Sequence, residues 1–169
     1  KAALRNRLTA LASKAGARIM GVYEWTLSDR TKKANAALAG MGNTRRILLS
    51  DTLLAEYSDD EIEVILAHEL AHHVHKDIWI SVLYEMVVAF AGFFAAHQVL
   101  QRAVPLFGLH GTADPAGIPV LLMIAGAVGL AVKPFMNAVS RSHERRADAF
   151  ALRMTRNPPA FISAMRAAI

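Results

Sequence analysis

The residues best suited to chemistry form one five-residue run, His68-Glu69-Leu70-Ala71-His72. On a helix, residues four apart project from one face about one turn apart, so two imidazoles at positions 68 and 72 can grip a single ion. Glu69, next to the first of them, can take a proton from a water activated by that ion as the water attacks a peptide carbonyl, and then pass a proton to the leaving amine. Zinc-dependent hydrolysis is the chemistry that this pattern serves. The chain contains no cysteine, which excludes disulfides and thiolate ligands and leaves histidine and carboxylate to hold any metal.

A catalytic zinc takes three protein ligands and keeps a fourth position for water, so a third ligand is required. Glu144 and Asp148 are again four apart, within Ser140-Arg141-Ser142-His143-Glu144-Arg145-Arg146-Ala147-Asp148 on a predicted helix. Glu144 can ligate. Asp148, one turn on, can accept a hydrogen bond from the second ring nitrogen of a ligand histidine and so fix its tautomer. Arg141 can orient Glu144 or a substrate carboxylate, or serve only as an exposed cation beside a membrane. His73 and His75 point away from the face shared by His68 and His72, and with His97 and His143 they are read as solvated or packing residues.

Elements must hold these groups in place. Ala2–Ala15 carries Leu4, Leu8, Leu11 and Ala15 at helical spacing and ends at Gly16. Ile19–Leu27 and Ala34–Ala39 read as strands flanking a polar turn at Ser28–Lys33, and Ile47–Leu49 as a short third strand. Ser58-Asp59-Asp60-Glu61 is a capping-box signature, so a helix is expected to begin there and run through the histidine cluster. Ile78–Leu100 is 23 residues of almost unbroken apolar sequence, against the ~20 needed to cross a bilayer. Arg102–Gly117, rich in Pro and Gly, reads as a loop. Ile118–Val132 is a second apolar run of 15 residues, a weaker span, and an amphipathic helix is expected from Lys133-Pro134 through Met154. Glu85, a carboxylate inside the first run, is expected to face a water-filled interior.

At 169 residues the chain has room for one domain with a proper core. Its 54% hydrophobic content and mean hydropathy of +0.28 suit a protein that is part aqueous and part lipidic. The net charge of +5 comes from scattered basic residues rather than a basic stripe with interleaved aromatics, which argues against nucleic acid and for an anionic membrane face. Lys76, Lys133, Arg141, Arg145 and Arg146 flank the outer ends of the apolar hairpin, so the positive-inside rule turns the histidine cluster toward the cytoplasm.

Taken together, the motif at 68–72, the Ser140-Arg141-x-x-Glu144-x-x-Ala147-Asp148 segment, and Asn35-Ala36 with Thr44-Arg45-Arg46-Ile47 resemble one family. It is the group of integral-membrane zinc endopeptidases that includes the CAAX prenyl proteases and the HtpX-type quality-control proteases. The resemblance covers most of the chain. It implies a mainly α fold with a small β-sheet, a gluzincin-like α+β core, and one Zn2+ per chain held by His68, His72 and Glu144 with Asp148 behind them. It also implies membrane helices between the second histidine and the glutamate, here an apolar hairpin at 78–132 inserted into a single metallopeptidase domain at 1–169. Asn35 and Ala36 would lie on an edge strand that pairs with an extended peptide substrate. Prenylated peptides and misfolded or membrane-embedded proteins are the substrates implied, with the lipid bilayer as partner. The prenyl proteases imply a further His and Arg downstream of the acidic motif, beyond Ile169, and the chain reads as a piece of a longer one. The reading from a different class is a non-catalytic zinc-binding scaffold or chaperone-like membrane module, which would close its metal with a fourth protein ligand.

Overall fold

Helix α1 (Ala2–Lys14) arises from its apolar spacing: Leu4, Leu8, Leu11 and Ala12 are all buried, each leucine contributing about 2 kcal/mol relative to exposure. The helix stops at Gly16, whose φ of 76° lies in the left-handed region, where a side chain would be strained. In the computed structural model, which describes residues 2–29, 35–40 and 42–167, three short strands come next. They are β1 (Gly21–Trp25), β2 (Ala36–Ala39) and β3 (Arg46–Ser50). The polar turn at Ser28–Lys33 and the start of the second expected strand fall partly outside the described residues.

The sheet order is β1-β3-β2, with β1 parallel and β2 antiparallel to the central β3. β2 is therefore an edge strand. Ser50 ties the sheet to the next helix: its Oγ accepts from Asn35 N at 2.9 Å, and as the N-cap of α2 (Asp51–Glu56) it accepts from Leu53 N at 3.1 Å. Helix α2 has no apolar periodicity long enough to announce it. Asp51 secures the loop after β1, accepting from Leu27 N at 2.9 Å, Ser28 N at 3.1 Å and Ser28 Oγ at 2.5 Å. These bonds hold its carboxyl down at about 2.

Helix α3 (Asp59–Val74) begins at the expected capping box, with Ser58 N donating to Glu61 Oε2 at 2.8 Å. Ile62, Leu66 and Leu70 are at most 1% exposed and join α1, β1 and β3 in one core. Arg7 of α1 pairs with Asp60, at 2.6 Å, and with Glu63. The last helix (Pro158–Ala167) closes over α3, with Ser163 Oγ donating to Glu61. The helix expected to run through the histidine cluster ends at Val74. Lys76 then takes a left-handed φ of 57°, reversing the chain into α4 (Asp77–Phe107).

The chain divides into two compact units, Lys1–Asp77 with His143–Ile169, and Ile78–Ser142. The second is a hairpin of α4 and α5 (Ile118–Thr155), the latter shared with the first unit. Tyr84 and Phe135 meet edge to face at 5.8 Å between ring centroids. Gly92 faces Val128, and Gly117 faces Leu100, so the two helices run antiparallel. Two expectations are revised here. The loop placed at 102–117 is helical to Phe107, because Pro105 lies in the last turn, where α4 still accommodates it. Pro134 likewise does not break α5, which runs unbroken for 38 residues, about 57 Å at 1.5 Å per residue. Both helices are long and apolar enough to cross a membrane. Phe90, Phe93, Met123 and Leu130 are each more than 70% exposed, a surface unsuited to water. Glu85 is exposed on α4.

Candidate metal centre

The centre is built on two helix segments of the first unit. α3 supplies His68, Glu69 and His72 from consecutive turns, and the C-terminal part of α5 supplies Glu144 and Asp148. His68 Nε2 and His72 Nε2 are 3.2 Å apart. Glu144 Oε2 is 3.3 Å from His68 Nε2, and its Oε1 is 3.9 Å from His72 Nε2.

The remaining ring nitrogens are both engaged. His68 Nδ1 lies 3.0 Å from Asp148 Oδ1, and His72 Nδ1 lies 2.9 Å from Asp77 Oδ2. A carboxylate accepts, so each imidazole donates from Nδ1, which in the neutral ring leaves the Nε2 lone pair for a metal. Two ring nitrogens and a carboxylate oxygen face one point, an arrangement that suits a cation between them. Tetrahedral ligands at about 2.0–2.1 Å from zinc are about 3.4 Å from one another. The observed separations of 3.2, 3.3 and 3.9 Å bracket that value. The donor set fits a divalent ion of zinc's size and preferences.

The Glu69 side chain is half-buried beside the pair. Burial raises its carboxyl above the ordinary range against the opposing pull of His68 and His72, and Glu144 adds to the rise. A carboxyl shifted this way is a better proton acceptor. Burial and then Arg45 push the His73 imidazole down, consistent with a packing role.

The placement of each expected residue is definite. His68, His72 and Glu144 come together, and Asp148 reaches His68. Asn35 immediately precedes β2, its backbone N–H and C=O both turned to Ser50. Ala36 is buried on the edge strand, which packs against α3. Arg141 belongs to the hairpin unit and lines a recess on α5 with Leu130, Lys133, Pro134 and Asn137.

Asp77 and Arg146 were not anticipated. Asp77 is 4% exposed; its Oδ1 takes a charged bond from Arg146 and lies 3.9 Å from His143 Nε2. The sequence carried a trace of this in an acidic residue five positions past His72. On a continuous helix, however, that offset points about 140° away.

With this geometry in view, comparison with known proteins is specific. Residues 1–169 match the family described as Peptidase family M48, and the chain belongs to that family. The Bacillus subtilis (strain 168) protein named Uncharacterized metalloprotease YhfN is 36% identical over 163 residues, covering 94% of this chain and 38% of that protein. Protease HtpX of Legionella pneumophila (strain Philadelphia 1) is 32% identical over 164 residues, covering 96% and 56%. A CAAX prenyl protease 1 homolog of Arabidopsis thaliana is 29% identical over 155 residues, covering 89% and 36%. The crystal structure of S. mikatae Ste24p superimposes with a TM-score of 0.74 at 26% identity, over 89% of this chain and 39% of that one. The resemblance to the HtpX and prenyl-protease group and the mainly α fold with a small sheet are borne out. The chain spans well under two thirds of each of these proteins.

Proposed function

We propose that the chain is the catalytic part of a membrane-embedded zinc endopeptidase. On this reading it is one metallopeptidase domain whose sequence is interrupted by the apolar hairpin, and its site faces the cytoplasm. The observation that carries the proposal is the convergence of His68 Nε2, His72 Nε2 and the Glu144 carboxylate, with Glu69 beside them. Three protein ligands among the described residues leave a position open, which favours catalysis over a closed structural site.

When bound, zinc supplies Lewis acidity toward a water and the scissile carbonyl. His68, His72 and Glu144 would hold it, with Asp148 and Asp77 orienting the imidazoles. Glu69 takes the proton from the attacking water as the new C–O bond forms, then delivers it to the amine nitrogen as the C–N bond breaks. Its raised affinity for a proton suits both halves of that transfer.

The edge position of β2 in the sheet, beside α3, suits an extended peptide added as a fourth strand. Ser50 holds Asn35 toward β3, and in an antiparallel ladder the outward backbone groups then belong to Ala36 and Leu38. Arg141 would meet a substrate carboxylate. Prenylated C-terminal peptides and misfolded membrane proteins are the two substrate classes that suit a site joined to an apolar hairpin.

The test is zinc content and cleavage of casein and of a farnesylated peptide, measured side by side in detergent. Glu69→Gln is expected to keep zinc and lose cleavage, whereas His68→Ala and Glu144→Ala lose the metal. Undiminished hydrolysis by Glu69→Gln would refute the mechanism.

A further inference from the structure

The carboxyl group of Asp77 is the most deeply buried acidic group among the described residues, with a side chain 5% exposed. Burying a carboxylate costs several kcal/mol unless it is paired, so its surroundings call for explanation. Each of its oxygens has its own task. Oδ2 lies 2.9 Å from His72 Nδ1, and Oδ1 takes the guanidinium of Arg146, with His143 Nε2 at 3.9 Å.

The backbone is bent to allow this. α3 stops at Val74, and Lys76, a residue with a side chain, adopts φ 57°. Only that reversal brings residue 77 back against residue 72. Arg146 is two positions from Glu144, so α5 delivers both the third metal ligand and the counter-ion of Asp77.

We propose that Asp77 is the positioning residue for the metal ligand His72, and that Arg146 acts on the metal site through Asp77. The two ligand histidines are thus oriented by unlike partners: His68 by the half-exposed Asp148, His72 by a buried carboxylate neutralised by an arginine. Water cannot stand in for Asp77 as it can for an exposed partner. Loss of Asp77 therefore frees the His72 ring to turn and to exchange tautomers. This inference rests on the zinc reading above.

The experiment uses the full chain in detergent, with zinc affinity from competition against a chromophoric chelator and the visible spectrum of the Co2+-substituted protein. Asp77→Ala is expected to weaken zinc binding by close to 100-fold, the upper end of what removal of such partners costs, and to shift the Co2+ bands. Asp77→Asn, which keeps an acceptor oxygen and the shape, is expected to fall between, and it serves if the alanine variant does not fold. Arg146→Ala is expected to weaken zinc binding about tenfold alone and to add nothing in the Asp77→Ala background, since the two act as one unit.

A residue that merely started α4 would lower the thermal midpoint of the metal-free protein and leave affinity and spectrum unchanged. Affinity within twofold of wild type for both Asp77 variants, or additive effects of Asp77 and Arg146, would overturn the proposal. If the wild type itself binds no zinc, the functional reading fails instead.

Discussion

Asp148 offers a sharp quantitative test of the metal centre. Its Oδ1 lies 3.0 Å from His68 Nδ1, and its side chain is 43% exposed, against 5% for Asp77. Removing a partner that orients a ligand histidine costs ten- to a hundredfold in metal affinity, or about 1.4–2.7 kcal/mol. Exposure decides where in that range Asp148 falls. In Asp148→Ala a water can enter and accept from Nδ1, at little cost beyond its own immobilisation. The expected loss is therefore near tenfold, about 1.4 kcal/mol, with the buried partner on His72 costing several times more in affinity. Zinc titration against a chromophoric chelator measures both variants in one series. An undiminished affinity for Asp148→Ala, or a larger loss there than at Asp77, would refute the link between exposure and ligand orientation.

Three further expectations concern the scaffold. The Asp51 carboxyl is held at about 2 when folded, below its ordinary value near 3.9, so its contribution is present above about pH 4 and lost as pH falls from about 4 toward 2. Asp51→Asn should flatten that part of the stability profile in denaturant titrations, and an unchanged acid slope would count against the Ser28 and Leu27 bonds. Leu66 is fully buried and Val74 is 39% exposed on the same helix; Leu66→Ala should cost about 3 kcal/mol and Val74→Ala under about 1 kcal/mol by chemical denaturation. Equal losses would contradict the placement of α3 in the core. Phe90 is 77% exposed near the middle of α4, so Phe90→Lys should cost about 3 kcal/mol of apparent insertion, while Glu56→Lys leaves insertion unchanged. Insertion assays on microsomal membranes that register no effect of Phe90→Lys would place the hairpin outside the bilayer.

Much of the site was legible because its chemistry is local. His68, Glu69 and His72 share one helical stretch, and the four-residue spacing that lets two imidazoles meet is a property of the helix itself. The same holds for Glu144 and Asp148, and for the capping box at Ser58, whose residues bond to one another. The apolar runs were visible because bilayer thickness sets a length that composition can be measured against. Their ends were not. Pro105 and Pro134 are breakers by local rule, yet α4 and α5 run through both, Pro105 in the last turn of its helix and Pro134 beside Phe135, which packs on Tyr84 across the hairpin.

By itself the sequence determined the candidate ligand types, the candidate base, the cap of the site helix and the presence of two apolar helices, all governed by neighbours within about one turn or by bulk composition. Only the tertiary structure decided that Glu144 comes to within 3.3 Å of His68 from far along the chain beyond His72, and that Asp148 meets His68 rather than His72. It alone revealed Asp77. A left-handed residue at Lys76 turns a carboxylate that helix geometry would point elsewhere back onto the second histidine. Such a reversal, and the arginine that makes its buried charge tolerable, depends on contacts 69 positions apart, which no local pattern encodes.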